Sequence, residues 1–350
     1  MGRLAVVGFT GHAVPDELRR IAATFDLAGV IYFARNIVEP RQVAELSREV
    51  AALTRTWPLW ISVDQEGGRV ARLKAPFTEW PPMAALGRAA DDGLATRFAK
   101  ALASELTAVG VTLDYTPVLD VHTNPDNPVI GDRALASRPE DVARLGAAIV
   151  RTLQGAGVGA CGKHFPGHGD TSVDSHEALP MVEHDMARLM STELPPFQAA
   201  IAQGVAAIMM AHLVVRAVDA SRPASVSPAV IQNLLKTGLS FDGVVIGDDL
   251  GMKALSHDRP LPQASVAAVA AGCDVLLMCN STADEQIQAL EALIRAAETG
   301  VITQARVDDA FARQARVKAS LAAAPRRTEH LSVVGCGEHQ AIAAEMAGWL

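Results

Sequence analysis

Ionisable side chains are concentrated in one stretch of the chain, KHFPGHGDTSVDSH, which runs from Lys163 to His176. The stretch contains one lysine, three histidines and two aspartates, interrupted by glycines and a proline. A hydrophobic core rarely accommodates this mixture, because each buried ionisable group has to be paired or solvated. The pattern therefore predicts a segment that binds or protonates a ligand, with an ordinary polar loop as the alternative.

The aspartate and histidine at the end of this stretch are spaced for proton transfer. Asp174 and His176 are two positions apart, so their side chains point to the same side of an extended segment. The carboxylate can then hydrogen-bond one imidazole nitrogen while the other nitrogen faces a substrate. Such a contact raises the pKa of the histidine and fixes its tautomer, as an acid and base working near neutral pH requires. A solvated surface pair is the alternative.

The same stretch also permits a metal-binding interpretation. Its candidate zinc or manganese ligands are His164, His168, Asp170, Asp174 and His176. A pair of histidines four positions apart converges on a helix, but the intervening Phe-Pro-Gly cannot form one. Lys163 would also repel a cation. We therefore predict no metal here, and keep a metal-dependent hydrolase as the alternative.

Two adjacent carboxylates follow a short apolar run in VVIGDDLGMKA, residues 244–254. The run predicts a buried strand with Asp248 and Asp249 at its end. We expect one carboxylate to point into the end of the sheet and the other to point sideways, toward a helix or solvent. The inward one is a candidate nucleophile or cation ligand. Capping of the following helix suits Asp249 better than Asp248.

Two further segments combine an acid with arginines. In ISVDQEGGRVARL, residues 61–73, Asp64 ends a predicted strand and a glycine turn separates it from Arg69 and Arg72. In NPVIGDRAL, residues 127–135, Arg133 follows Asp132. Acceptors beside donors suit the hydroxyl groups of a sugar, although each arginine could equally be an ordinary surface residue.

The elements that must position these residues are short apolar runs that alternate with amphipathic stretches. The runs cover residues 4–9, 29–34, 59–64, 111–120, 158–164, 206–213, 243–248 and 274–280. Eight strand and helix units over about 280 residues match a single-domain α/β fold, the (β/α)8 or TIM barrel. An open doubly wound sheet is the competitor, but no GxGxxG turn follows the first strand.

Polar residues recur where the predicted strands end, which supports the barrel. They are Asp64, Asp120, His164, His212, Asp248 and Asn280. In a barrel these ends surround one mouth, so we expect the side chains to converge there. The barrel is predicted over residues 1–325, and residues 326–350 are predicted to be a helical tail that packs on its outside or docks a partner.

Composition narrows the function classes. The 350-residue chain has a net charge of -8 and no run of lysine or arginine, so nucleic acid is not an expected partner. Its four cysteines form no CxxC pair, which fits reduced thiols and a cytoplasmic location. We find neither a signal-peptide pattern nor an apolar run of about 18 residues that could span a membrane.

Taken together, these motifs closely resemble family 3 glycoside hydrolases, and within them the bacterial β-N-acetylglucosaminidases of peptidoglycan recycling. The most specific match is KHFPGHGDTSVDSH, and DQEGGRV, GDRA and DDLGMKA are similar to other family segments. The resemblance implies a β-N-acetylhexosaminidase with Asp248 as nucleophile, His176 as acid and base, and Asp174 as its partner. The residues it implies for holding the sugar are Asp64, Arg72, Arg133, Lys163 and His164.

The resemblance also implies a (β/α) barrel, no cofactor, and muropeptides as small carbohydrate substrates; we expect a monomer, with a homo-oligomer still open. Gly247 stands where many relatives have serine, and RALAS replaces a segment that usually contains phenylalanine. These differences concern the shape of the pocket. A β-glucosidase, a metal-dependent hydrolase, a catalytically inactive sugar-binding barrel and transfer to phosphate instead of water remain alternatives.

Overall fold

Eight parallel strands form a closed barrel in the computed structural model, which describes residues 1–54, 57–173, 179–256, 259–324 and 330–350. The barrel strands are β1 (Ala5–Val7), β2 (Gly29–Tyr32), β3 (Trp60–Val63), β6 (Leu113–Asp114), β7 (Gly159–Phe165), β9 (Ala207–Met210), β11 (Val244–Asp249) and β12 (Val275–Met278). Each strand overlaps one of the predicted runs. The predicted (β/α)8 fold is therefore confirmed, and the open sheet is excluded.

Helices surround the barrel and connect its strands. The α-helices are α1 (Asp16–Phe25), α2 (Pro40–Ala51), α3 (Ala84–Ala89), α4 (Asp92–Ala108), α5 (Pro139–Gly155), α6 (Met186–Arg188), α7 (Pro195–Ala202), α8 (Lys253–Ser256), α9 (Leu261–Ala271), α10 (Ala283–Glu298), α11 (Gln304–Ala322) and α12 (Gly337–Ala347). A π-helix spans Ala229–Gly238. Several starts follow local sequence: Pro40 and Pro139 occupy first helical positions, and Thr282 forms a capping box with Glu285.

Hydrogen bonding closes the barrel and aligns its ends. Ala5 on β1 lies opposite Leu276 on β12, so the last strand pairs with the first. Apolar side chains that include Val6, Ile31 and Met209 belong to a buried cluster formed by the strands. Because all the barrel strands run parallel, their carboxyl ends lie at the same end of the barrel, above this packed interior.

The fourth predicted strand is the least regular. Only Leu113–Asp114 pair as a strand, because Pro117 has no N–H to donate. The segment still follows β7, since the carbonyl oxygens of Thr116 and Pro117 accept hydrogen bonds from the backbone of Cys161 and Lys163. This connection brings residues 118–120 to the mouth of the barrel.

Two short strand pairs outside the barrel were not predicted. Gln65–Gly67 (β4) and Val70–Ala71 (β5) form an antiparallel hairpin directly after β3. Met181–Val182 (β8) pairs with Val214–Val215 (β10). The hairpin matters for the site because it begins next to Asp64.

The C-terminal segment, residues 330–350, contains α12 and packs against α4. Arg97 on α4 forms two hydrogen bonds of 2.7 Å with Glu345, and Glu105 on α4 contacts His339. The predicted boundary between residues 325 and 326 lies outside the described residues. Among the helices that the structure describes, none is both long and apolar enough to cross a membrane.

Candidate active site

A cavity of about 470 Å³ opens at the carboxyl ends of the barrel strands. Its lining includes the residues that the sequence analysis selected for sugar binding and nucleophilic attack, which are Asp64, Arg72, Arg133, Lys163, His164 and Asp248. The structure thus brings together side chains from four separate segments of the chain. Asp174 and His176 belong to residues 174–178, which lie outside the described residues.

Lys163 is almost completely buried and is held between two carboxylates. Its Nζ lies 2.8 Å from Asp64 Oδ1 and 2.5 Å from Glu66 Oε1. Burial alone would lower the pKa of Lys163, but the negative charges of Asp64 and Glu66 raise it above its usual range. The ammonium group therefore stays charged at the cavity wall.

Arg133 shares Glu66 with Lys163. Its Nε and Nη2 donate hydrogen bonds of 2.9 and 2.8 Å to the two oxygens of Glu66, and its Nη1 donates to the carbonyl of Val129. Burial opposes ionisation of Glu66, but the charges of Arg133 and Lys163 keep its pKa far below its usual range. Arg133 therefore reaches the cavity with its guanidinium already fixed by the protein.

His164 is oriented by Asp120. The Nδ1 atom of His164 lies 2.7 Å from Asp120 Oδ2, and Asp120 also accepts a hydrogen bond from the backbone N–H of His168. Burial would raise the pKa of Asp120, but the charge and hydrogen bond of His164 lower it, so this carboxyl is an acceptor only. Nδ1 of His164 must then carry its proton toward Asp120, which fixes the tautomer.

Arg72 belongs to the β4–β5 hairpin segment and lies beside Asp64. Its Nη2 is 3.5 Å from Asp64 Oδ2, and its guanidinium carbon lies 5.4 Å from the ring centre of Phe33. The buried Nε of Arg72 has no hydrogen-bond partner among the described residues. A buried donor without an acceptor is costly, so an oxygen of a ligand would be a favourable partner.

Asp248 stands at the end of β11 with its carboxylate at the cavity. Its Oδ1 accepts a hydrogen bond of 2.8 Å from the backbone N–H of Asp249. Burial would raise the pKa of Asp248, but nearby His212 and His164, this N–H and the charge of Lys163 lower it. Asp248 is therefore held as an anion, which is the form that a nucleophile needs.

Asp249 also borders the cavity, but its carboxylate points sideways to the end of β12 and not, as expected, to a helix or solvent. A register shift between Gly247 and Asp249 interrupts the alternation of side chains along β11. Asp249 Oδ1 accepts hydrogen bonds from the backbone of Gly251 and Cys279, and burial raises its pKa. It ties β11 to β12 and does not cap α8, which begins only at Lys253.

The segment after β7 is bound by other loops of the barrel. Its described part is fixed: His168 and Thr171 are buried, and the His168 carbonyl accepts a hydrogen bond of 2.8 Å from Asn127 Nδ2. Asp170 lies 2.7 Å from Thr123 Oγ1 and 2.6 Å from His184 Nε2. Polar partners from other loops therefore bind the segment between β7 and Thr171.

The metal-binding interpretation gains no support from the described residues. Within them, no group of three or more histidine, cysteine, aspartate or glutamate side chains is arranged to hold a metal ion. Nδ1 of His164 and Asp170 are instead engaged by Asp120 and by Thr123 and His184. Two members of the candidate set, Asp174 and His176, lie outside the described part of the chain.

The sequence analysis did not assign a role to Glu66. It stands in the quoted DQEGGRV segment, between a strand end and a glycine turn. This position, next to Asp64, indicates that Glu66 lies near the mouth of the barrel. Asp120 was recognised only as a polar residue at a strand end. Both carboxylates act by fixing other side chains, and their partners are distant in sequence: Arg133 is 67 positions from Glu66, and His164 is 44 positions from Asp120.

Comparison with known proteins gives consistent matches over most of the chain. The model of the glycosyl hydrolase family 3 N terminal domain matches residues 1–317. A β-hexosaminidase from Thiobacillus denitrificans is 40% identical over 284 residues, which cover 79% of this chain and 78% of that protein.

Solved structures show the same similarity. A glycoside hydrolase family 3 β-N-acetylglucosaminidase from Paenibacillus sp. is 41% identical with a TM-score of 0.94, and the match covers 99% of this chain and 67% of that one. NagZ from Neisseria gonorrhoeae in complex with N-trifluoroacetyl-D-glucosamine is 31% identical with a TM-score of 0.82, and the match covers 99% of this chain and 97% of that one.

Proposed function

The chain belongs to glycosyl hydrolase family 3 and is a glycoside hydrolase, and we propose that it is a retaining exo-β-N-acetylglucosaminidase. The similar proteins are named β-hexosaminidase, β-N-acetylglucosaminidase and NagZ, and the last was solved with an N-acylated glucosamine. The observation that carries the proposal is the anionic, partly exposed Asp248 in the same cavity as the charged Lys163 and the oriented His164.

The proposed substrate is a peptidoglycan fragment, GlcNAc-anhydroMurNAc with or without its peptide, from which the terminal non-reducing GlcNAc is released. Asp64, Arg72, Lys163 and His164 would hold the hydroxyl groups of this GlcNAc, with Arg133 bordering them. The set combines the carboxylate acceptor of Asp64 with the charged N–H donors of Arg72 and Lys163, as the hydroxyl groups of a pyranose require. We further propose a cytoplasmic location and action without a cofactor.

In the first proposed step, an Asp248 oxygen attacks C1 of GlcNAc from the face opposite the leaving group. The bond between C1 and the glycosidic oxygen breaks, and its electron pair stays on that oxygen. Protonated His176 gives the oxygen a proton, so the shortened fragment leaves as an alcohol. The product on the enzyme is a glycosyl ester of Asp248.

In the second step, neutral His176 removes a proton from water as the water oxygen attacks C1. The bond between C1 and Asp248 breaks, and the carboxylate is regenerated. Two inversions leave GlcNAc with its original β configuration. Asp174 would hold the imidazole of His176 in the required tautomer during both steps.

The first experiment compares aryl β-GlcNAc with the matched aryl β-glucoside, with and without a chelator. We expect hydrolysis of the GlcNAc substrate, little activity on the glucoside, and no effect of the chelator. Proton NMR of the first product should show β-GlcNAc, and GlcNAc phosphate should be absent in phosphate buffer. Preferred hydrolysis of the glucoside, an α product or loss of activity with chelator would each contradict the proposal.

The role of His176 is tested with His176→Ala. Loss of the general acid should slow hydrolysis of muropeptides by about 10²–10⁴-fold. Aryl substrates with good leaving groups need little protonation, so formation of their glycosyl enzyme should be much less affected, as a pre-steady-state burst of phenol would show. An equal loss of the burst on all leaving groups would mean that His176 is not the acid.

A further inference from the structure

The buried carboxylate of Glu105 joins two segments that are far apart in sequence. Glu105 lies on α4 and is 2% exposed. Its oxygens accept hydrogen bonds from the Gly335 N–H at 2.9 Å, the Thr78 N–H at 3.1 Å and the Thr78 hydroxyl at 2.5 Å. His339 Nδ1 lies 2.8 Å from the same carboxylate. Residues 330–350 and the segment around Thr78 are therefore bound to one group.

The contact between Glu105 and His339 has a defined direction. Burial would raise the pKa of Glu105, but the hydrogen bonds from His339, Thr78 and Gly335 lower it, so this group is a carboxylate. A carboxylate only accepts, and Nδ1 of His339 must therefore be the donor. A substitution of His339 that keeps an N–H donor at the position of Nδ1 should therefore preserve the contact with Glu105.

The segment around Thr78 supports the β4–β5 hairpin. The backbone N–H of Gly68 in the hairpin turn donates a hydrogen bond of 2.8 Å to the Trp80 carbonyl. A Cβ atom placed on Gly67 would lie 2.6 Å from the Pro81 carbonyl oxygen, so the two segments are in close contact. Trp80 packs edge-on against Phe98, with ring centres 5.1 Å apart.

The hairpin in turn positions the residues that form one wall of the cavity. Gln65 Oε1 accepts hydrogen bonds from the backbone N–H groups of Arg72 and Leu73, which fixes the return strand. Asp64 and Glu66 flank Gln65 in sequence, and both bind Lys163. A shift of residues 74–83 would therefore be transmitted to the groups at the cavity wall, whereas Asp248 on β11 lies outside this chain of contacts.

We propose that residues 330–350 position the β4–β5 hairpin through His339 and Glu105, and so set the affinity of the cavity for the sugar. His339 and Glu105 are positioning residues, since neither lines the cavity. The effect on affinity rests on the proposed role of Asp64 and Arg72 in sugar binding. The other part of the proposal, that His339 and Glu105 support the hairpin, does not depend on that role.

The test uses three variants of the full chain. His339→Ala removes the donor to Glu105, and His339→Asn keeps a donor close to the position of Nδ1. Arg97→Ala breaks the exposed contact between α4 and Glu345 and leaves Glu105 untouched. Each variant is measured for KM and kcat on aryl β-GlcNAc, for the dissociation constant of N-acetylglucosamine, and for hydrogen exchange of the Gly68 amide.

We expect His339→Ala to raise KM and the dissociation constant by about 10-fold, because displaced contacts lose affinity even when the mutation lies far from the chemistry. Its kcat should stay within about threefold, since Asp248 is not moved. Exchange at Gly68 should become faster. His339→Asn should restore both properties, and Arg97→Ala should resemble the unmodified protein.

Unchanged KM and unchanged exchange in folded His339→Ala would overturn the proposal, as would an equal effect of Arg97→Ala. If His339→Ala does not fold, Thr78→Val is used instead. It removes the hydroxyl donor to Glu105 with a side chain of similar volume, and the same changes in KM, dissociation constant and Gly68 exchange are expected. An unmodified protein that neither binds nor releases N-acetylglucosamine would overturn the proposed function instead, while exchange at Gly68 would still test the contact.

Discussion

Two lysines, one buried and one partly buried, lie at opposite ends of the barrel in surroundings of different charge. Lys163, at the carboxyl end, contacts Asp64 and Glu66, and its pKa is raised. Lys318, at the amino end, donates a hydrogen bond to the Pro58 carbonyl and lies over the rings of Trp57 and Trp60. Burial, with a smaller contribution from Arg3, lowers the pKa of Lys318 to about 7.

The difference shows that the partners of a lysine decide its charge more than its burial does. Both amino groups lose hydration, but only Lys163 gains carboxylates that compensate for the loss. Lys163 therefore contributes a permanent charge to a cavity that contains Asp248, whereas Lys318 contributes packing at an end lined by indole rings. Barrel enzymes carry their chemistry at the carboxyl ends of the strands, and this asymmetry follows that rule.

The largest expected effect of a change at the carboxyl end comes from Asp248→Ala. If Asp248 is the proposed nucleophile, no glycosyl ester can form without it, so kcat should fall by about 10⁴-fold or more. The dissociation constant of N-acetylglucosamine should change little, because Asp64, Lys163 and His164 remain. Rates on aryl β-GlcNAc and calorimetric titration measure the two quantities. Substantial residual turnover, after contaminating activity is excluded, would remove Asp248 from its proposed role.

A matched pair of substitutions tests the comparison of the two lysines directly. Lys163→Met removes the charge between Asp64 and Glu66, and kcat/KM should fall by about 100-fold, the cost of breaking a buried charge pair that contacts the ligand. Lys318→Met removes a partly buried lysine at the other end and should leave kcat/KM unchanged. Circular dichroism establishes that both variants are folded. Equal losses would mean that the effect comes from stability alone.

The sequence predicts that the charged site residues lie at the carboxyl ends of the strands, because this placement depends on local sequence. Each strand is a short apolar run, and the polar residue that follows it, such as Asp64 or Asp248, must lie at the carboxyl end. The role of Glu66 could not be predicted, since it depends on Arg133, 67 positions away. The prediction that Asp249 points to a helix or solvent was wrong for another reason. Alternation along a strand assumes regular pairing, and the register shift at Gly247 to Asp249 breaks it.

A smaller effect is expected when Lys163 keeps its position but loses one of its carboxylates. Glu66→Gln preserves shape and removes a negative charge between Lys163 and Arg133. These groups would then be held less firmly, and KM on aryl β-GlcNAc should rise by about 10-fold with little change in kcat. Asp132→Asn is the control, since Asp132 forms only a half-exposed ion pair of 3.6 Å with Arg69. A larger loss in kcat than in KM would place Glu66 in the chemical step.

The smallest expected effect concerns Lys318 and appears in stability alone. In the unfolded chain this lysine keeps its proton up to its ordinary pKa near 10, but in the folded protein it loses the proton near pH 7. Below pH 7 both states bind the proton and folding bears the full cost of a buried charge. Between pH 7 and 10 the unfolded state binds more protons, so the contribution of Lys318 to stability rises with pH.

Lys318→Met removes this dependence. Relative to the unmodified protein, its melting temperature should be higher by roughly 2 °C at pH 6, a shift that corresponds to about 1.5 kcal/mol in a chain of this size. The advantage should shrink as the pH rises toward 9, as paired thermal melts would show. A constant difference across this range would mean that Lys318 keeps its proton in the fold. The rings of Trp57 and Trp60 would then stabilise the ammonium group, and both lysines would carry a charge.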